Sequence, residues 1–424
     1  KQKTAYEIRN CDWSSDVCSS DLAVSGVHAQ LYVADSNVWF TAQERLRMEY
    51  RAYTTTFNRS KDADEDLFLL NRARAGVGAR ACDWFRVYGE LQDSREIDSK
   101  RKPNVDDDRI DFHQGWFELA DYKEFPVGLK LGRQELSYGD ERLIGLSDWS
   151  NTGRVFDAVK LHWQHDSCWV DFFAADVVVP KAGSFDDKAD WADDLYGLYG
   201  RTTALPKHVW DLYALYRDKD DAVNAGAKRQ LYTIGTRLAA NEKMAPWDYT
   251  AEVIGQFGHV QTPGKQFGET NATWASHTAF AATLNAGYTW KENWKPRLGI
   301  GYDYASGDRN PNDGKDETFD PLFATAHRPL GYIDVVGWKN VHNPHANLAF
   351  VPVKNLRLQL DGHLFWLAES RDAWYGVKNT ALRRDTTGRS GSFIGSEVDV
   401  TATYTPHKRV KLQAGYSHFF TGDF

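Results

Sequence analysis

Along most of this chain large apolar side chains recur at every second position with charged or small residues between them, the period of a β-strand with one greasy and one polar face. In 39–53, WFTAQERLRMEYRAY, Phe40, Ala42, Leu46, Met48 and Tyr50 fall on one face and Gln43, Arg45, Arg47, Glu49 and Arg51 on the other. Leu69, Ala73, Ala75, Val77 and Ala79 then alternate with Arg72, Arg74, Gly76, Gly78 and Arg80. After a tight turn at Cys82-Asp83, Phe85, Val87 and Leu91 oppose Arg86, Tyr88, Glu90 and Gln92. The same rhythm predicts strands near 110–120, 129–136, 154–164, 167–178, 194–203, 208–217, 228–240, 247–260, 276–290, 294–306, 342–351, 355–368, 394–405 and 409–420.

The connections alternate as strictly as the side chains. Short turns near Cys82, Pro126, His165, Leu205, Asn241–Pro246, Lys291–Asn293, Pro352–Lys354 and Pro406 are separated by long polar stretches near 54–66, 96–109, 179–193, 218–227, 261–275, 307–341 and 369–393. Short turns on one side and long loops on the other are the asymmetry of a bacterial outer-membrane barrel. The predicted fold is therefore all-β, a transmembrane antiparallel up-and-down β-barrel. The pattern yields about seventeen strands where an even number is expected, so the intact barrel should have about eighteen. Phe419–Phe424, FFTGDF, sits where the rhythm calls for a long outer loop, and the closing strand is expected to be missing.

Lys1–Leu22, KQKTAYEIRNCDWSSDVCSSDL, has no apolar central run and reads as the in-frame translation of a sequencing-library adapter. The expected organisation is 1–22 as non-native sequence, 23–38 as a lead-in, and 39–424 as one C-terminally truncated barrel.

Composition narrows the class. Aromatic residues make up 14% of the chain, yet mean hydropathy is -0.58. There is no apolar run long enough for a transmembrane helix. Alternating strands with aromatic girdles produce this combination, and Trp84, Trp163, Trp290 and Trp294 lie near strand ends as a girdle requires. Outside the first 22 residues only Cys82 and Cys168 remain, too few for a disulfide scaffold and too isolated for zinc. The net charge of -8 becomes -7 once the three cations and four acids of residues 1–22 are set aside, a balance that disfavours nucleic-acid binding.

The cations concentrate on the polar strand faces. Arg45, Arg47, Arg72, Arg74, Arg80, Arg86, Lys130, Lys160, Arg237 and Arg357 are candidates to face inward, with Glu49, Glu90, Glu118 and Asp361 among them. Guanidinium groups hold carboxylates in a two-pronged grip and stay charged at all relevant pH, so such a lumen favours anions. The plainer reading is that these groups pair with the interleaved acids and fill a polar interior.

The stretch 132–161, GRQELSYGDERLIGLSDWSNTGRVFDAVKL, joins two alternating strands through a Gly- and charge-rich loop. Gly139 and Gly145 allow tight turns, so the loop can fold inward and constrict the lumen, with Arg142 or Arg154 meeting the substrate. Glu135, Asp140, Glu141, Trp149, Asn151 and Asp157 are then expected to brace it, and Arg133 to pair with one of the acids unless it joins the substrate path. Leu129 and Leu131 share the parity of Arg133, which leaves its inward direction open. The acids of 307–331, Asp308, Asp313, Asp316, Glu317 and Asp320, do not match a calcium-loop spacing and read as a solvated acidic loop. His327, His342, His345 and His363 are not paired at ligand spacing. No metal or other cofactor is called for. No Gly-x-Ser-x-Gly or similar nucleophile motif appears, which argues against an enzyme of the membrane, and the alternating faces argue against a soluble sandwich.

The runs GRQELSYGDERLIG, WSNTGRVFDAVKL, YASGDRNPNDGKDETFDPLFATAHRPLGY and GSEVDVTATYTPHKRVKLQAGYSHFF are similar to the hallmark segments of the bacterial alginate export family, over roughly 31–424. That resemblance implies an eighteen-stranded outer-membrane barrel with an electropositive pore, a polyuronate as cargo, membrane lipid around it, and periplasmic export partners. The residues themselves support an anion-preferring barrel, and a general or sugar-specific porin is the alternative.

Overall fold

The computed structural model describes residues 21–22, 27–33, 37–52, 65–100, 106–220, 228–262, 273–310, 312–325, 327 and 329–424. Most of 1–22 and the acidic stretch 54–64 lie outside the described residues.

Eighteen strands form the wall. They are β1 (Val27–Val33), β2 (Val38–Ala52), β3 (Glu65–Cys82), β4 (Phe85–Ile97), β5 (Asp108–Ala120), β6 (Val127–Gln134), β7 (Phe156–His165), β8 (Cys168–Val179) and β9 (Lys188–Thr202). The circuit continues through β10 (His208–Lys219), β11 (Arg229–Ala240), β12 (Trp247–Thr262), β13 (Thr273–Thr289), β14 (Arg297–Ala305), β15 (Val341–Val353), β16 (Leu356–Trp366), β17 (Phe393–His407) and β18 (Val410–Thr421). With the two-residue pieces Asp21–Leu22 and Lys315–Asp316 they make one 20-stranded sheet, in which each wall strand pairs antiparallel with its chain neighbours. The strands from β2 onward match the seventeen expected from the alternation. At the seam, β1 pairs with β2 along Val27–Val33 and meets β18 at Val27↔Val410. The lead-in segment thus covers the free edge of β2 and touches β18 at one residue pair.

The apolar faces point outward. Ile300 is 63% and Leu212 62% exposed, which only a lipid-facing surface explains for side chains of this kind on nearly every strand. The register sets like positions side by side: Arg45 lies opposite Arg72, Arg74 opposite Gln92, and Lys130 opposite Lys160. The register thus brings Arg45 and Arg72 together on β2 and β3, and Lys130 and Lys160 together on β6 and β7.

Loops fill part of the interior. The loops 135–155, 306–340 and 367–392, all at the long-loop end, bury a hydrophobic core that includes Leu136, Leu143, Ile144, Phe319, Phe323 and Trp338. Two of these loops dock on each other through the Ile144↔Phe323 bridge. Phe323 N donates to Leu143 O at 2.8 Å, and Thr325 N to Glu141 O at 2.9 Å. The loop expected to be solvated is largely folded in. Asp320 is buried against β12, where Gln256 Nε2 donates to its carbonyl at 2.7 Å, and it accepts from Arg217 of β10 and Arg229 of β11. Apolar residues between its acids, Phe319 and Leu322 among them, explain the difference, because they carry the segment into the core.

Candidate functional site

The arginines of β2 and β3 converge on the 135–155 loop. Arg72 is 0% exposed, and its Nη2 lies 2.8 Å from Asp148 Oδ1, with Arg74 Nη2 at 3.8 Å from the same oxygen. Arg45 donates to the carbonyls of Asp148 and Ser150 and to Asn151 Oδ1. Arg47 donates to Trp149 O at 2.6 Å, stacks its guanidinium 3.6 Å over the Trp149 ring, and pairs with Glu49 at 2.5 Å. Burial opposes ionisation of Asp148, but Arg72, Arg45 and Arg74 overcome it and hold the carboxyl well below the usual carboxylate range.

The loop is fixed here by its backbone. Asn151 Nδ2 donates to the carbonyls of Asn71, Arg95 and Asp106 at 3.0, 3.2 and 3.1 Å. Ser94 Oγ donates to Asn151 O, and Gln92 Nε2 to Thr152 O, both at 2.8 Å. Glu135 accepts from His113 Nε2 at 3.1 Å and lies 3.6 Å from Arg74.

Across the lumen the same loop reaches the opposite wall. Arg142 Nη2 lies 2.8 Å from Asp303 Oδ1 of β14. Asp140 pairs with Arg237 of β11, which also holds Asp211 of β10 at 3.0 Å. Glu141 accepts from Ser137 Oγ at 2.7 Å, from Leu146 N at 3.1 Å and from Thr325 Oγ1. Arg154 donates to the carbonyls of Gly145 and Ala324 at 3.0 Å and to that of Phe323. Arg133 stays out of the arginine wall. It follows the parity of Leu131, pairs with Asp157 at 2.8 Å and donates to the carbonyls of Phe112 and Asp187.

The remaining cations gather at the short-turn end. A cavity of about 630 Å³ is lined by Arg80, Arg86, Lys130 and Lys160 together with Glu118 and Tyr122. Arg86 pairs with Glu118 at 3.0 Å, Lys160 with Asp171 at 3.4 Å, and Lys130 sits 3.9 Å over the Trp116 ring. Arg357 is exposed beside its own turn and donates to Gln359 at 3.0 Å, away from both groups. The structure thus divides the candidate cations into a loop-bound wall, a cross-lumen bracing set and a cluster at the turn-side mouth.

Two features were missed in the sequence. Asp148 lies inside the quoted loop run, yet nothing in its spacing marks it as the carboxylate that the arginines share. A tyrosine stack, Tyr138 on Tyr199 at 4.5 Å and Tyr199 on Tyr213 at 5.3 Å, stands beside the loop. Its hydroxyls donate to Asp171, Asp211 and Glu252. The inward parity shared by Tyr199, Asp211 and Tyr213 was the available signal.

The sequence model described as alginate export matches residues 37–424. A comparison with curated protein sequences gives no match. Among solved structures the chain is similar to outer-membrane proteins of Pseudomonas aeruginosa. OccK1 (OpdK) is 10% identical, with 93% of this chain and 96% of that one covered at a TM-score of 0.57. OccD3 (OpdP) is 10% identical, with 94% and 90% covered and a TM-score of 0.56. OprD is 10% identical, with 95% and 93% covered and a TM-score of 0.53. At these identities the likeness establishes the barrel fold.

Proposed function

The chain belongs to the alginate export family, and from that premise we propose that this outer-membrane channel passes an anionic polysaccharide or oligosaccharide, an alginate-like polyuronate, along its arginine wall. The observation that carries the reading is the grip of Arg72 and Arg74 on the Asp148 carboxylate, with Arg45 on the adjoining carbonyls. A carboxylate of the chain itself occupies the place that a uronate carboxylate takes. Exchange of one carboxylate for another keeps each guanidinium paired, whereas a neutral sugar leaves buried cations without a counter-charge. In this reading the 135–155 loop is a plug that yields to cargo, and the cluster of Arg80, Arg86, Lys130 and Lys160 receives the polymer on the periplasmic side, where export partners would deliver it.

Planar-bilayer conductance tests this. Anion selectivity is expected, with block by oligouronates and not by neutral oligosaccharides of equal length, and Arg72→Gln and Arg74→Gln should weaken the block. A channel indifferent to uronates would sink the proposal and leave a general or sugar-specific porin.

A further inference from the structure

We propose that Asp108, Asp111 and Asp187 form a binding site for a divalent cation, calcium by its all-oxygen ligands, that clamps the outer loop 180–187 to the barrel wall. Asp108 and Asp111 stand at the long-loop end of β5, and Asp187 closes the 180–187 loop just before β9. One carboxylate oxygen from each lies within 4.8 Å of the others.

Asp108 is only 2% exposed, and its Oδ1 is buried with no hydrogen-bond partner. A cavity of about 10 Å³, room for a single small occupant, is lined by the three aspartates, by Gln92 and His113 of the wall, by Thr152 and Gly153 of the plug loop, and by apolar neighbours such as Val155 and Val178; His113 is taken by Glu135. An orphaned buried carboxylate oxygen facing such a space, beside two further carboxylates, asks for a cation.

The other two carboxylates are already aimed. Asp111 Oδ2 accepts from Asp186 N at 2.7 Å and Asp187 N at 3.1 Å, and its Oδ1 accepts from Phe112 N at 2.7 Å. Asp187 Oδ1 accepts from Lys181 N at 2.7 Å. Asp111 Oδ2 is filled by its two donors, whereas Asp111 Oδ1 and Asp187 Oδ1 each keep a second lone pair. The guanidinium of Arg133 lies 4.0 Å from Asp111 and pairs more closely with Asp157 at 2.8 Å, so one shared cation stands against the three acids. Consistent with the crowding, burial and the Asp111 charge push the Asp187 carboxyl up to about 6 despite the Lys181 hydrogen bond.

Oxygen ligands with no His or Cys among them suit calcium over zinc or copper. A bound ion would join the start of β5, the 180–187 loop and the back of the plug loop at one point. The three carboxylates lie behind the plug loop, next to the arginine wall at Gly153 and Gln92, and the site does not depend on what the channel carries.

The test is a calorimetric titration of Ca²⁺ into the full chain, folded in detergent and stripped with chelator. One site is expected, with Kd of about 10⁻⁴–10⁻³ M, the range of extracellular calcium modules. Calcium should also slow proteolysis within 180–187. Asp108→Asn and, separately, Asp187→Asn should each weaken binding roughly tenfold or more. Asp187→Asn, on a surface loop, serves if Asp108→Asn does not fold. No heat of binding at about tenfold above that range, or equal binding by the wild type and a folded variant, would overturn the proposal.

Discussion

Arg142 of the plug loop and Asp303 of β14 meet at 2.8 Å across the lumen, and Asp303 is 0% exposed. Arg142 also reaches Thr283 Oγ1 at 3.3 Å and lies 5.0 Å from the Trp338 ring centre. The loop is thereby tied to a wall strand well away from the arginines of β2 and β3. Arg142→Met leaves the buried Asp303 carboxylate only Asn343 Nδ2 at 3.0 Å and His345 Nδ1 at 3.4 Å, and removing the guanidinium from such a pair costs up to about 3–5 kcal/mol. A lower unfolding midpoint and a higher single-channel conductance are expected. Wild-type values in both would mean that the pair does not hold the loop.

Asp148 is the counter-charge for three arginines, so its removal should act on ions before it acts on folding. Asp148→Asn frees Arg72 and Arg74 for mobile anions, and the chloride-over-potassium preference in a reversal-potential measurement should rise. A carboxyl held below its ordinary value stabilises the folded state above that ordinary value, and the contribution is lost as pH falls through the lowered one. Loop docking, followed by protease cutting within 135–155, should therefore be flat between about pH 5 and 8 and loosen only in stronger acid.

What the sequence exposed and what it hid follow from one physical distinction. The two-residue period is local, so Phe40, Leu46 and Met48 against Arg45, Arg47 and Glu49 could be assigned to opposite faces before any contact was known. Parity fails where a bulge resets it. The β4–β5 register shifts between Glu90 and Leu91 and again between Gln92 and Ser94, so Asp111 and His113 are buried although Phe117, of the same parity, faces outward. The partner of each arginine was hidden for another reason. Arg237 takes Asp140 from 97 residues away and Arg154 takes Phe323 O from 169 away, and no spacing rule spans such distances. The loop was legible as an inward-folding, charge-braced element through its glycines and acids, while its docking on Phe323 was not.

Asp187 gives a pH signature of opposite sign to that of Asp148. Its carboxyl, raised to about 6, keeps a proton in the folded state that the unfolded chain has already released, so its contribution to stability falls as pH rises from the ordinary aspartate value to about 6. In chelator, the unfolding midpoint of Asp187→Asn should exceed that of wild type increasingly over that window. A difference independent of pH would show that Asp187 ionises normally.

Gly145 marks where the two plug loops come closest. A Cβ there would stand 2.3 Å from Thr325 Oγ1 and 2.6 Å from Glu141 Cβ, while Gly145 N donates to Phe323 O at 3.0 Å. Gly139 differs, since its φ of +61° demands glycine for backbone reasons and its surroundings are looser. Gly145→Val cannot be absorbed by a rotamer change at Thr325 alone, because Glu141 occupies the other side. The Ile144↔Phe323 bridge must open, and overpacking of this kind costs about 1–3 kcal/mol. Phe323 touches the wall through the Phe156 ring of β7 and the Arg217 guanidinium of β10, but the strand pairing does not run through this point, so the barrel should stay folded in detergent while both 135–155 and 306–340 become open to protease. Simultaneous exposure of the two loops is the expected result. Exposure of only one would mean that each is held by the wall and not by the other.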